Sequence, residues 1–212
     1  MAIIVPAILE KTKEDFNQRM SRVVKLPNLE RIQVDFGDGK YIENKLLEAA
    51  EIDPLNPSFH WEAHLMVKEP QDFLDFQICG FKTIILHYEA FSPSSELKKS
   101  FKKLKEMGFK TGLAINPSTE VEVVKGLQVD QILVMCVVPG KQGQDLIPLT
   151  IDKVKNLRRL VPRAIIEVDG GINETNIKTL KNAGADLICA GSALVKAPNM
   201  LEAWDRLHEA MG

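Results

Sequence analysis

Cysteine is scarce in this chain, and what there is forms no motif. The 212 residues hold three cysteines, Cys79, Cys136 and Cys189, each in or beside an apolar segment and none in a CxxC pair. An odd, dispersed set argues against a disulfide framework and fits a reducing compartment. A basic stripe is also lacking. Lysine and arginine number 27 against 29 aspartates and glutamates, a formal net charge of -2, so nothing marks a nucleic-acid binder. The short basic run Lys98-Lys99 and Lys102-Lys103 reads as a solvated helix face. No apolar run approaches the ~20 residues of a membrane span. The opening MAIIVPAIL lacks a basic n-region and a small-residue cleavage site, so it reads as a first strand rather than a signal peptide. The expectation is a cytoplasmic protein with no nucleic-acid or membrane partner. Linkers, low-complexity tracts and the GxGxxG or GxxxxGK[ST] fingerprints are absent as well, which disfavours an open doubly wound sheet.

What is present is a beat of short β-branched runs. They fall at 3–9, 31–34, 61–67, 82–87, 109–115, 130–137, 164–168 and 185–191. Between them lie segments of helical periodicity at 12–24, 70–79, 95–107, 150–160, 174–183 and 199–211, with weaker ones at 44–51 and 119–126. The turn-rich stretch Asp53-Pro54-Leu55-Asn56-Pro57 delays the third strand without dividing the chain. Apolar strands separated by helix-length crossovers predict a parallel sheet with helices outside. Eight such units without a break predict an α/β fold, a single (β/α)8 TIM barrel over residues 1–212.

In such a barrel, the residues that end the strands face the site. Strand two ends at Asp35 and Asp38, strand three carries His64 and Met66, and strand four ends at His87 with Glu89 two positions on. Asn116-Pro117 close strand five, and Met135 then Pro139-Gly140 follow from strand six. Asp169-Gly170-Gly171 and Gly191-Ser192 close the last two. Carboxylates and imidazoles converging from different strands make either a metal site with oxygen and nitrogen ligands or an acid/base pair. Asp38 sits in an Asp-Gly turn pair, so its carboxylate serves equally well as a local cap. The loops Gly170-Gly171 and Gly191-Ser192 suit phosphate, which barrels often bind after strands seven and eight. Gly140 and Gly143, in the stretch 140–144, supply a third loop over the ligand. His60, just before Trp61, is expected to pack at the near end of strand three, and His208 to be a surface or packing residue on the last helix.

These residues resemble the ribulose-phosphate 3-epimerase family. The resemblance runs through PAIL at 6–9, VDFGDG at 34–39, AHLMV at 63–67, LHYEA at 86–90, GLAINPST at 112–119 and LVMCVVPGKQGQ at 133–144. Its longest block is EVDGGINETNIKTLKNAGADLICAGSAL at 167–194. It implies a barrel that binds a sugar phosphate, with Asp35 and Asp169 as acid and base on opposite faces of the substrate. It also implies a divalent metal ion, Zn²⁺, Mn²⁺, Fe²⁺ or Mg²⁺, on Asp35, His64 and Asp169. The fourth ligand position holds Gln33 where the family has histidine. Ala7 stands for a usual serine, Gly37 for a methionine, and GKQGQ at 140–144 for GFGGQ. Ala7, Met66 and Met135 would wall the pocket, and Gly37 would open space that water could enter. Three readings follow: a ribulose-phosphate 3-epimerase, an epimerase or isomerase of another sugar phosphate, or a sugar-phosphate-binding barrel without chemistry. The oligomeric state stays open, a homo-oligomer included.

Overall fold

The computed structural model describes residues 2–70, 74–92, 94–141 and 143–212. The start of the helix expected at 70–79, and Gln142 in the loop 140–144, lie outside the described residues. Eight parallel strands close on themselves in chain order. They are β1 (Ile3–Ile8), β2 (Arg31–Gly37), β3 (His60–Met66), β4 (Thr83–His87), β5 (Lys110–Ile115), β6 (Gln131–Met135), β7 (Ile165–Asp169) and β8 (Leu187–Ala190). The helices are α1 (Lys13–Val23), α2 (Leu74–Cys79), α3 (Ser94–Glu106), α4 (Leu149–Leu160), α5 (Ile177–Ala183), α6 (Ser192–Val195) and α7 (Met200–Met211). The weakly periodic segments 44–51 and 119–126 form only the single 3-10 turns Ala49–Glu51 and Val121–Val124. No helix among the described residues is long and apolar enough to cross a membrane.

Local chemistry starts and stops these elements where the sequence suggests. Thr12 caps α1, its hydroxyl accepting from the Asp15 N–H at 3.1 Å, with Glu14 and Asp15 in the first turn. Asn199 caps α7 through the Glu202 N–H. Gly184 ends α5 with φ at 113°, a backbone state that glycine enters without penalty. On α3, Leu97, Phe101 and Leu104 are buried while Lys98, Lys99, Lys102 and Lys103 face solvent.

The period of two along each strand separates two environments. On β2, Ile32, Val34 and Phe36 point outward into the layer shared with the helices, where Phe36, Phe76, Phe81 and Trp61 meet edge-to-face. The alternate residues Arg31, Gln33 and Asp35 therefore point into the barrel. The interior holds two apolar clusters, Ile85, Ala114, Leu133 and Met135 on β4 to β6 and Val5, Ala7, Leu187 and Cys189 on β1 and β8. Polar groups fill the space between them. At the floor, Gln131 Nε2 donates to Glu62 Oε1 at 3.1 Å and to Glu167 Oε2 at 2.9 Å, and the Arg31 guanidinium pairs with Glu62. Glu62 and Glu167 are wholly buried. Burial, then repulsion from Glu62, pushes the Glu167 carboxyl well above the usual range. His60 lies at this end, its Nε2 within 2.7 Å of the Thr83 hydroxyl. His208 is exposed on α7 and packs on Trp204.

Candidate active site

The opposite mouth gathers most of the strand-end residues. β2 and β7 are separated by β8 and β1, so Asp35 and Asp169 meet across the barrel rather than as strand neighbours. Gln33 lies between them. Its Nε2 donates to Asp35 Oδ1 at 3.0 Å and to Asp169 Oδ2 at 2.8 Å. The Cys189 thiol lies 3.1 Å from Glu167 Oε1 and 3.4 Å from Gln33 Oε1, so the amide orientation rests on the two carboxylates that accept from its nitrogen. β2 and β3 place Asp35 opposite His64 in register, and His64 Nδ1 lies 2.9 Å from Asp35 Oδ1 and 3.9 Å from Asp169 Oδ2. Burial, then the nearby Asp35 charge, pushes Asp169 up to about 7.

Behind His64 runs a chain of polar groups that the sequence reading named only as strand ends. His64 Nε2 is 2.8 Å from His87 Nε2, and His87 Nδ1 is 3.0 Å from the Tyr41 hydroxyl. Tyr41 accepts from Asn116 Nδ2 at 3.0 Å and reaches Glu89 Oε2 at 3.3 Å. His87 is fully buried, and burial pulls it down to about 4, so the ring is neutral. Burial alone would raise Glu89. Hydrogen bonds from His87, the Thr119 hydroxyl and the Asn116 N–H hold it instead at about 2. The imidazole of His64 is thus gripped at both nitrogens. The pattern His87-x-Glu89 was the visible signal. Tyr41, from the loop after β2, carried none.

A small cavity of about 50 Å³ opens over the carboxylates. Ala7, Asp35, His64, Met66, Met135 and Asp169 line its depth. Gly140, Gly143, Gly170, Gly171, Gly191 and Ser192 line its rim. At Gly191 a Cβ would meet nothing within 4 Å, so the backbone there borders open space. Gly170 and Gly171 have positive φ, and a Cβ on Gly171 would fall 2.2 Å from Leu146 N; only glycine permits this approach.

One alternative is settled and one expectation changes. Asp38 does not enter the cavity lining. Its carboxylate accepts from the backbone N–H groups of Lys40, Tyr41 and Lys68, each at 2.8 Å, and ties the β2 loop to the β3 loop. Gly37 does not admit water. A Cβ there would lie 2.5 Å from Ile42 Cδ1, because Ile42 from the following loop fills the room that a side chain at 37 would take. Ile42 packs with Leu46 and Met66 and is buried.

The donor set fits a cation in part. Asp35, His64 and Asp169 offer ligand atoms within 4.8 Å of one another, a hard-to-borderline set open to several divalent ions. Gln33 as oriented presents N–H rather than an electron pair, so it completes the set only if its amide turns over.

Fold and site together define a (β/α)8 barrel with two buried carboxylates and a histidine gathered beneath glycine-rich loops. The chain belongs to the ribulose-phosphate 3-epimerase family, whose family model ("Ribulose-phosphate 3 epimerase family") matches residues 3–195. It is 32% identical over 210 residues to a ribulose-phosphate 3-epimerase of Synechocystis sp., covering 95% of this chain and 90% of that protein. It is 36% identical over 158 residues to the Escherichia coli K12 protein of that name, covering 71% and 68%. Among solved structures, 3-hexulose-6-phosphate synthase from Salmonella typhimurium superposes with a TM-score of 0.74 at 18% identity, covering 98% and 97%. That likeness shows the fold alone.

Proposed function

We propose that this protein is a ribulose-phosphate 3-epimerase, an isomerase that interconverts D-ribulose 5-phosphate and D-xylulose 5-phosphate. The observation that carries the reading is the pair Asp35 and Asp169, brought from β2 and β7 to one amide nitrogen at 3.0 and 2.8 Å. Epimerisation needs one base and one acid on opposite faces of a carbon, and two like groups across a barrel supply both. One carboxylate takes the proton from the third carbon, and the electron pair moves onto the neighbouring carbonyl oxygen as an enediolate. The second carboxyl returns a proton to the opposite face, and the carbonyl re-forms. The two groups exchange protonation states in each turnover, and the reverse reaction swaps their roles. The elevated Asp169 suits the acid in one direction, with Asp35 as the base. His64, held at both ring nitrogens, orients Asp35.

A divalent ion, if bound by Asp35, His64 and Asp169, supplies Lewis-acid stabilisation of the enediolate oxygen. Zn²⁺, Mn²⁺, Fe²⁺ and Mg²⁺ are all compatible with the donor set, and Gln33 makes binding weaker than an imidazole would. The phosphate is assigned to backbone N–H groups of the loops Gly170-Gly171 and Gly191-Ser192, covered by the loop bearing Gly140 and Gly143. Met66 and Met135 provide a soft wall. Residues 1–212 act as one barrel domain. The three buried cysteines suit the reducing cytoplasm.

The test is an epimerase assay on ribulose 5-phosphate with each metal in turn, paired with NMR detection of solvent deuterium entering the third carbon. Turnover with deuterium wash-in is expected. Tight ligand binding with neither, under every ion, would leave a sugar-phosphate-binding barrel without chemistry.

A further inference from the structure

Lys141 is the one cationic side chain among the described residues lining the inner cavity, whose other charged lining groups are Asp35 and Asp169. A phosphate dianion entering this space meets two carboxylates and a single lysine, Lys141, with no arginine beside it. Lys141 also lines a second, outer recess with Lys11, Lys196 and Asn44, sharing Leu9 and Gly140 with the inner cavity. It therefore stands where a basic vestibule joins the reaction chamber. In that recess the two acids are engaged elsewhere, Glu10 by Arg19 at 2.9 Å and Asp15 by the Thr12 hydroxyl at 2.8 Å. Lys141 itself pairs with Glu43 at 3.1 Å, with the two side chains 61% and 83% exposed. An ion pair that open to water is weak and easily exchanged.

We propose that Lys141 is a substrate-recognition residue: it leaves Glu43 and pairs with the incoming phosphate, serving as the cation that the glycine loops lack. Glycine loops offer dipoles with fixed directions, whereas an ammonium on a flexible stem can follow the anion from vestibule to chamber. Glu43 acts as a holding partner that keeps the arm at the mouth. The proposal rests on the phosphate-binding reading above but concerns a residue at which this chain departs from its family's GFGGQ pattern.

The experiment is calorimetric titration of the purified full chain with inorganic phosphate at low ionic strength. Lys141→Gln is expected to weaken binding roughly five- to tenfold, as the loss of a charge-assisted contact in a partly solvated site would. Lys141→Arg should keep affinity within about twofold, since the charge is retained. Glu43→Gln should tighten binding about two- to threefold by freeing the arm. Lys102→Gln, on the exposed face of α3, makes the same change in net charge away from the cavity and should have no effect. Phosphate binding that is absent from the unaltered chain, indifferent to Lys141→Gln, or equally weakened by Lys102→Gln overturns the proposal. Epimerase activity measured in parallel separates the two readings. Turnover with phosphate affinity indifferent to Lys141 sinks this inference alone, and Lys141-dependent affinity without turnover sinks the activity alone.

Discussion

At the scale of single residues, Gln33 decides how the two carboxylates live together. Two buried carboxylates a few ångströms apart repel, and a positive dipole or a cation must intervene. Here the amide nitrogen bonds both. Gln33→His replaces that donor with a nitrogen that can ligate, so the purified variant should carry more bound divalent metal than the unaltered chain, as read by elemental analysis after dialysis. Its rate should rise less than its metal content, because Ala7 still lacks the serine hydroxyl and small placement errors cost rate. Equal metal content in both proteins would mean that the cation does not feel position 33. Asp35→Asn and Asp169→Asn each delete one side of a two-sided transfer, and each should lower turnover by roughly 10²–10⁴-fold. Deuterium wash-in at full rate in either variant would place the acid/base pair elsewhere. Asp35, His64 and Asp169 were legible because each ends an apolar strand. Tyr41 and Cys189 were not: their roles depend on which side chains from other strands they meet.

At the scale of elements, the β2 loop is clasped to the β6 loop. Ile42 is wedged between Gly37 and Gly140, its Cβ 2.8 Å from where a Cβ on Gly140 would lie, and Asn44 Nδ2 donates to Gly140 O at 2.8 Å. A side chain at position 37 and the isoleucine at 42 are thus competitors for one volume. Gly37→Met alone should destabilise by about 1–3 kcal/mol through overpacking. Ile42→Ala alone should cost about 2–5 kcal/mol. The double variant should cost less than the sum, with a coupling of about 0.5–3 kcal/mol in urea unfolding. Strict additivity would show that the two side chains do not share space. A second element-level test falls on the β8 loop. Gly191→Asp adds a charge to the open space that Gly191 borders. Phosphate binding should be lost in calorimetry while the circular dichroism spectrum stays near that of the unaltered chain.

At the scale of the whole molecule, the barrel's polar lining couples the fold to pH in opposing ways. His60 sits at the closed end, and burial, then the charges of Arg31, Lys110 and Lys82, lower it from 6.5 to about 4. At this group the folded state binds fewer protons than the unfolded chain between those values, so its contribution to stability falls as pH drops through that window. The raised Asp169 and Glu167 carboxyls act in the opposite sense there, and Glu89, held at about 2 rather than 4.5, loses its contribution as pH falls from 4.5 toward 2. His60→Gln should therefore raise the urea midpoint at pH 4 relative to that at pH 6.5, compared with the unaltered chain. The same midpoint difference in both proteins would mean that His60 does not titrate with unfolding.

The order of elements, the closed barrel and the placement of the carboxylates at one mouth were determined by the sequence alone. Strand burial and helix crossovers are written locally, as apolar runs and 3.6-residue periodicity, and every strand lies where such a run occurs. The weakly periodic stretches 44–51 and 119–126 shrank to single turns, because packing rather than propensity settles short segments. The tertiary structure decided what fills the gap at Gly37, that the Gln33 amide nitrogen bridges Asp35 and Asp169, and that Asp38 caps loops instead of entering the cavity. Ile42 takes the room beside Gly37 because the loop after β2 folds back over its own strand. The other two join groups far apart in sequence: Gln33 Nε2 reaches Asp169, and Lys68 N–H reaches Asp38. Barrel closure sets positions 30 to 136 apart in sequence within a few ångströms of each other, and a linear pattern carries no record of them.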